Sequence, residues 1–283
     1  MPDPSTQRNA EHYDAVTDAW ALVLGANFHY GYFPTPETDL STATAGLVEA
    51  LADLGPLRSG YRVLDVGCGI GTPAFHLYRR YGCRVIGIST SARGIAVARE
   101  TGQEQGYGDH VQFELREAID NRFPDCAFDV VWQMESAHLI RDKAALFAEH
   151  YRVLKPGGML LLCDVILKKP FDIAGVYRHR KELAVLTEIF GDVKLEPIET
   201  HEIAMARAGF VESKSAEVGD RVAPTFRCWR ANLKAHWREI SDRLAEERAL
   251  QFLRACDILE AWFAAGVLGY VLLRAQKNTE GRG

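Results

Sequence analysis

The stretch VLDVGCGIG, residues 63 to 71, joins an apolar run carrying one acid to three glycines at alternating positions. The residues that follow, TPAFHLYRRY, have a helical pattern, with Thr72 expected as the helix N-cap and Pro73 in the first turn. Glycines at 67, 69 and 71 allow positive φ angles and remove Cβ atoms, so a ligand can lie directly on the backbone of the turn. The stretch therefore predicts a strand, a ligand-binding turn and a helix.

Short β-branched runs alternate with helical patterns from residue 62 onward, which is typical of βαβ units on a parallel sheet. Seven strands are predicted, at residues 62–66, 83–88, 111–115, 128–134, 159–166, 210–218 and 267–275. KPGG (155–158) is expected to end a helix and turn into the fifth strand. We predict an α/β fold: a Rossmann-like, seven-stranded, mostly parallel sheet with helices on both faces and a helical cap or lid.

Three segments are predicted: an N-terminal helical cap at 1–58, the ligand-binding core at 59–167, and helical lid insertions with the last two strands at 168–283. About fifty residues separate the sixth and seventh strands, too many for an ordinary loop. Apolar residues in this segment recur at steps of three and four and predict two long helices with inward faces. These residues are Trp237, Ile240, Leu244, Phe252, Cys256, Leu259 and Phe263.

The length, composition and charge of the chain exclude several classes of protein. The chain has 283 residues, of which 47% are hydrophobic, enough for one large core. The formal charge of −5, with 33 basic and 38 acidic side chains, offers no basic field for a nucleic acid. The N-terminus lacks the pattern of a signal peptide, and no apolar run is long enough for a membrane span. We expect a cytoplasmic protein that does not bind nucleic acid and does not span a membrane.

The cysteines and histidines show no metal-binding spacing. The six cysteines form no CxxC pair and are expected to be free thiols, mostly buried. The sequence thus predicts chemistry without a metal.

The acid of the opening stretch helps to choose between two ligands. A dinucleotide fingerprint is GxGxxG with an acid about 20 residues later. Here the spacing is GxGxG, and Asp65 lies inside the strand, where a carboxylate is unhelpful beside a pyrophosphate. An ionised carboxylate suits a cationic amino-acid group instead, through charge-assisted hydrogen bonds. The residues favour an adenosyl-sulfonium over a dinucleotide.

With this turn, FPDCAFDVVWQMES (123–136) and YRVLKPGG (151–158), the chain resembles the class I S-adenosylmethionine-dependent methyltransferases over most of residues 10–275. The resemblance implies S-adenosylmethionine as cofactor and S-adenosylhomocysteine as product. It also implies that Glu117 and Ala118 meet the adenine ring. Further cofactor contacts would come from the turn and the fourth strand, at Asp65, Gly67, Cys68, Gly69, Gln133 and Met134.

The second predicted strand departs from the family pattern, because Ser89 stands where an acid usually holds the ribose hydroxyls. A serine here is similar to the natural-product and sterol-type methyltransferases, and this similarity implies that Ser89 and Thr90 hold the ribose. Ser89 could also serve as the N-cap of the next helix.

NFHYGYFP (27–34) brings several aromatic rings together. The rings either fill space above the sheet or form a lid that excludes water and stabilises a cation through π faces. This segment and Tyr13 resemble the N-terminal helices of the small-molecule subgroup, where a tyrosine closes over the cofactor. Tyr13 and Tyr30 are carried over as cofactor-binding residues.

Two polar residues are expected at the carboxyl ends of adjacent strands. His138 follows the fourth strand, and Asp164 lies in the apolar fifth strand LLLCDVIL. Histidine commonly accepts a proton at neutral pH, and an ionised aspartate would fix its tautomer. The pair is similar to a His/Asp pair in antibiotic-sugar O-methyltransferases of the rebeccamycin type. We interpret His138 as the catalytic base and Asp164 as its orienting acid; simple capping and packing roles stay open.

The sequence thus predicts methyl transfer to a hydroxyl of a hydrophobic small molecule, a secondary metabolite. Carbon methylation of a prenyl chain, an alkene or an indole, with coupled cyclisation, is the alternative within the transferases. A nicotinamide-dependent oxidoreductase and a protein using the sulfonium only as a structural cation are weighed as well. A homo-oligomer is left open. Apolar pocket residues are expected among Trp20, Phe28, Met134, Leu139, Phe190, Phe226 and Trp229.

Overall fold

A seven-stranded sheet forms the centre of the protein, for which the computed structural model describes residues 4–279. The strands are β1 (Arg62–Val66), β2 (Arg84–Ser89), β3 (Val111–Leu115), β4 (Phe128–Met134), β5 (Leu154–Leu167), β6 (Phe210–Glu217) and β7 (Leu268–Lys277). Their order is β3-β2-β1-β4-β5-β7-β6, and β7 runs antiparallel to both of its neighbours. The predicted mostly parallel, Rossmann-like sheet is confirmed.

Twelve α-helices are assigned within the described residues. They are α1 (Pro4–Leu24), α2 (Leu40–Ala52), α3 (Thr72–Tyr81), α4 (Ala92–Glu104), α5 (Lys143–Val153), α6 (Ile173–Arg178), α7 (Arg180–Phe190), α8 (Ile198–Ala208), α9 (Gly219–Val222), α10 (Thr225–Ala235), α11 (Trp237–Leu244) and α12 (Glu246–Ala264). Two short 3-10 helices lie at Gly108–His110 and Ala137–Leu139.

The sheet separates two hydrophobic clusters, because neighbouring residues of a strand face opposite sides. In β1, Val63 belongs to one cluster, and Leu64 and Val66 belong to the other. The first cluster also takes in the buried faces of α1, α2, α3, α10 and α12, and the second packs under α5 and α8. Helices therefore cover both faces, as predicted.

The bounds of six strands agree with the sequence prediction within two residues, but β5 starts earlier. It begins at Leu154, directly after α5, and Leu154 pairs with Phe128 of β4. The register then shifts, so that Val130 pairs with Met159. The KPGG tetrapeptide is thus an irregular part of the strand and not a turn that precedes it.

The predicted N-cap at Thr72 is wrong, and so is the capping role considered for Ser89. Gly71, with φ 86°, is the N-cap of α3, while Thr72 is already helical and its hydroxyl donates to the carbonyl of Ala26. Ser91, not Ser89, caps α4, since its hydroxyl accepts from the amide of Gly94 at 3.0 Å. In each helix the N-cap is therefore one or two residues from the position considered in the sequence.

The N-terminal helices and the segment between β6 and β7 form the expected cap. Four helices, α9 to α12, fill that segment, in place of the two long helices predicted. Of the residues predicted to face inward, Ile240, Phe252, Cys256 and Leu259 are buried. Cap and sheet share the first hydrophobic cluster. The predicted segments 1–58 and 168–283 include ends, 1–3 and 280–283, that lie outside the described residues.

The six cysteines all lie within the described range and are free thiols. Four are buried, Cys228 is half-buried and Cys126 is exposed, as the sequence indicates. Over residues 4–279, none of the helices is both long and apolar enough to cross a membrane.

Candidate functional site

A cavity of about 400 Å³ opens at the carboxyl ends of β1, β2 and β4, where open α/β sheets bind ligands. Its volume falls within the range of small-molecule sites. The glycine turn, the end of β2, the loop after β3 and α1 line it together. Predicted site residues in the lining are Tyr13, Gly67, Gly69, Ser89, Thr90, Glu117, Ala118 and Met134.

Backbone hydrogen bonds to β2 hold the glycine turn on one side, and the other side of the turn is open to the cavity. The amides of Gly67 and Cys68 both donate to the carbonyl of Ile88, at 2.8 and 3.1 Å. A Cβ atom on Gly69 would meet nothing within 4 Å, whereas one on Gly67 would overlap the side chain of Ser136. Gly69 thus faces the cavity, and Gly67 allows the segment after β4 to approach the turn closely.

The close contact at Gly67 predicts that adding a single methyl group there destabilises the protein. Gly67 has φ 81° and lies against Ser136, so Gly67→Ala should lower the free energy of unfolding by about 2–5 kcal/mol, because backbone strain and overpacking act together. Gly60 has φ 83° and open space around it, so Gly60→Ala is a matched control that isolates the strain, about 1–2 kcal/mol. Urea denaturation measures both. Equal losses would show that Ser136 yields to the methyl group.

Asp65 and Cys68 lie in a second, smaller cavity of about 40 Å³ that adjoins the first. The two cavities share Phe28, Gly67, Gly69, Ile70 and Met134. Asp65 is 2% exposed, and its Oδ2 atom has no hydrogen-bond partner among residues 4–279. Burial raises the pKa of Asp65 to about 7. A buried carboxylate oxygen without a donor marks a place for a cationic or donor ligand.

Ser89, which the sequence predicts to hold the ribose, is connected to the cap through Ser91. Ser89 Oγ accepts from the amide of Ser91 at 3.1 Å, and Ser91 donates to Asp14 of α1 at 2.6 Å. Asp14 also accepts from the amide of Arg93. Helix α1 is therefore fixed to the start of α4, which positions Tyr13 over the cavity.

The residues of the aromatic stretch (27–34) fit different interpretations: Phe28 is placed as a lid residue would be, and Tyr30 fills space in the cap. Phe28 lines both cavities, whereas Tyr30 lines neither and packs against Phe226, Trp229, Phe263 and Tyr270. Of the expected apolar pocket residues, Phe28, Met134 and Leu139 line the large cavity. The rings of Trp20, Phe190, Phe226 and Trp229 instead contact one another inside the cap.

Gln133 is also turned away from both cavities. Its amide donates to Ser136 Oγ at 3.1 Å and accepts from Nε2 of the buried His150 at 2.8 Å. Ser136 in turn donates to the carbonyl of Val66 at 2.7 Å. These hydrogen bonds connect Gln133 to the glycine turn through Ser136, and the cofactor-binding role given to Gln133 stays a prediction.

His138 and Asp164 meet as the sequence suggested. His138 Nδ1 lies 2.5 Å from Asp164 Oδ1, and the amide of His138 donates to Oδ2 at 2.8 Å. Burial raises the pKa of Asp164, but its contacts with His138 outweigh burial and leave that pKa lowered. The side chain of His138 is 14% exposed. Ser136 and Leu139, close to His138 in the sequence, line the large cavity, although neither His138 nor Asp164 is itself in the lining.

Glu135 is a site residue that the sequence analysis missed. Its carboxylate accepts from the amide of Tyr30 at 2.9 Å and from the hydroxyl of Tyr270 at 2.6 Å. Burial raises the pKa of Glu135 to about 8. Its φ of 51° is unusual for a residue other than glycine. Its place in QMESAH, directly after β4, was the available signal, because strand ends carry ligand-binding residues.

Groups of three or more potential metal ligands are not found among residues 4–279.

Comparison with known proteins assigns the chain to a protein family. The family described as mycolic acid cyclopropane synthetase matches residues 2–268. The chain belongs to this family. It is 30% identical to the 27-O-demethylrifamycin SV methyltransferase of Amycolatopsis mediterranei over 286 residues, which cover 98% of this chain and 99% of that protein. It is also 30% identical to the sterol 24-C-methyltransferase of Eremothecium gossypii over 232 residues, 81% of this chain and 60% of the relative.

Solved structures agree in fold. The [4+2]-cyclase SpnF superposes with a TM-score of 0.83 and 27% identity, covering 99% of both chains. The cyclopropane synthase MmaA2 from Mycobacterium tuberculosis gives a TM-score of 0.88 at 21% identity, covering 97% of this chain and 99% of that one. Family and relatives together establish an S-adenosylmethionine-dependent methyltransferase of the type that the sequence analysis indicated. The oxidoreductase alternative is set aside.

Proposed function

We propose that the protein transfers the methyl group of S-adenosylmethionine to a hydroxyl of a hydrophobic small molecule, with His138 as base. The observation that carries the proposal is the His138–Asp164 pair, which lies beside a cavity that adjoins the glycine turn. The rifamycin-type relative, named for methylation at an oxygen, supports the same reaction.

The cavities suit the cofactor. The unpartnered Asp65 Oδ2 would bind the amino-acid end, and Gly67 and Gly69 leave room for it on the backbone. Ser89 and Thr90 would hold the ribose, and Glu117 and Ala118 the adenine, since all four line the larger cavity. When bound, the cofactor supplies an electrophilic methyl group, so the protein must orient an acceptor and remove its proton.

The His138–Asp164 geometry fits proton removal. Asp164 accepts from His138 Nδ1, so the proton of the neutral ring lies on Nδ1 and its Nε2 carries a lone pair. When Nε2 takes the proton of a substrate hydroxyl, the buried carboxylate stabilises the imidazolium that forms.

We infer the acceptor class from the residues of the large cavity that are not assigned to the ribose or the adenine. Phe28, Met134, Leu139 and Ile140 give it an apolar side. A panel of lipophilic alcohols and phenols, incubated with cofactor and analysed by mass spectrometry, tests the proposal. Methylated oxygen in the product is expected, and a panel converted only at carbon would contradict it.

Asp65 should make cofactor binding depend on pH. Its pKa of about 7 in the free protein is raised above the usual value, so the carboxyl binds a proton below that pH. A cationic ligand favours the ionised form, and binding therefore releases this proton. The affinity for S-adenosylhomocysteine should fall by up to about tenfold per pH unit below that pKa. Calorimetric titrations across pH measure the slope, and Asp65→Asn should bind more weakly with a flat profile.

Glu135 favours carbon methylation as a second candidate. A carbocation formed by methylating an alkene needs aromatic faces and a nearby base. Glu135 lines the large cavity and would supply the base, and Tyr13 and Phe28 line the same cavity and would supply the aromatic faces. The sterol-type relative is named for transfer to carbon. If this candidate is right, Glu135→Gln abolishes turnover of prenyl substrates and His138→Ala does not.

A further inference from the structure

His29 lies in the smaller cavity and has no role in the mechanism above. It belongs to the loop between α1 and α2, is 4% exposed, and lines the same cavity as Asp65, Gly67 and Gly69. Its Nε2 atom has no hydrogen-bond partner within the described part of the chain. A polar atom so deeply buried is normally paired, so the lone Nε2 asks for a ligand.

The protonation of the His29 ring follows from its other nitrogen. Nδ1 lies 2.8 Å from the carbonyl oxygen of Tyr30, and a carbonyl can only accept. The proton of the neutral ring therefore sits on Nδ1, and Nε2 presents a lone pair. Burial lowers the pKa of His29 to about 4, so the ring is neutral at physiological pH.

The smaller cavity thus offers two acceptors without a donor: His29 Nε2 and Asp65 Oδ2. A carboxylate or a carbonyl group would leave both unpaired. An ammonium group, with three N–H donors, satisfies both at once. One acceptor is an acid and the other is neutral, so a single positive charge is balanced and not exceeded.

We propose that His29 Nε2 and Asp65 Oδ2 together bind the α-ammonium group of the cofactor. The inference rests on the proposed cofactor site and adds His29 to it as a binding residue. Phe28, Gly67, Gly69, Ile70 and Met134 border both cavities, so a ligand held by its ammonium in the smaller one extends into the larger. His29 therefore fixes the end of the cofactor from which the sulfonium is positioned.

Titration calorimetry with two ligands tests this role. One is S-adenosylhomocysteine, and the other is its analogue with hydrogen in place of the amino group. His29→Phe should weaken S-adenosylhomocysteine by about 10- to 100-fold, as expected for one lost hydrogen bond to a charged group, and leave the analogue within about twofold. His12→Phe is the matched control: His12 also bonds a backbone carbonyl, that of Ile189 at 3.0 Å, but lines neither cavity.

Equal weakening of both ligands by His29→Phe would overturn the role, since the ring would then act only by packing. If the wild-type protein binds neither ligand, the cofactor site itself fails, which is a separate result. Nitrogen NMR of the wild-type protein needs no variant: the Nε2 resonance of His29 should shift with S-adenosylhomocysteine and not with the analogue. A resonance that responds alike to both ligands would also overturn the inference.

Discussion

Replacing His138 with alanine should lower kcat by about 10²- to 10⁴-fold and leave the affinity for S-adenosylhomocysteine within about twofold. The expected difference between rate and affinity follows from the position of the His138 ring. The ring is held at 2.5 Å by Asp164 and lies beside the cavity without lining it, so its loss removes a base and few cofactor contacts. Single-turnover rates with an accepted alcohol and calorimetric affinities measure the two quantities.

His236→Ala serves as the control for His138→Ala, because His236 is an exposed histidine at the end of α10. It should leave both quantities unchanged. Added imidazole should restore part of the rate to His138→Ala, since a small base can enter the space that the side chain vacates. Full turnover by His138→Ala would remove this residue from the mechanism.

Asp164→Asn should also lower kcat by about 10²- to 10⁴-fold, because the orienting acid contributes on this scale in comparable triads. Asp164 accepts three hydrogen bonds, from the ring and amide of His138 and from the amide of Val165. An asparagine turns one acceptor into a donor that faces another donor, so the ring loses its tautomer or its orientation. Steady-state kinetics measures the loss.

The double variant separates catalysis from general damage. If His138 and Asp164 act as one unit, the double variant should be no slower than the slower single variant. Fully additive losses would mean that Asp164 supports the fold independently of His138. Thermal denaturation of all three variants provides the control for stability.

Local patterns were sufficient for the elements of the sheet. β3 and β4 have the predicted bounds, because apolar and polar residues alternate in β3 and because β4 is mostly apolar. The glycine turn was equally readable, since positive φ at three alternating positions leaves little choice of residue. The helix caps were not, because Gly71 and Ser91 took roles that neighbouring residues could also have filled.

Side-chain direction marks the limit of the sequence analysis at the site. Gln133 and Glu135 are two residues apart at the end of β4, yet only Glu135 lines the large cavity. Gln133 is held beneath the turn by His150, a residue of α5 that no local pattern connects to it. The partners of Glu135 come from a distant loop and from the last strand.

The amino-acid sequence alone determined the sheet, the ligand-binding turn and the acid within its strand, because these depend on residues adjacent in the chain. It also supplied His138 and Asp164 as a pair, since parallel strands bring their carboxyl ends to one edge. Only the tertiary structure decided which buried polar atoms have no partner in the described part of the chain, as at Asp65 and His29. Pairing of a buried group depends on every element packed around it, and those elements lie far apart in the sequence.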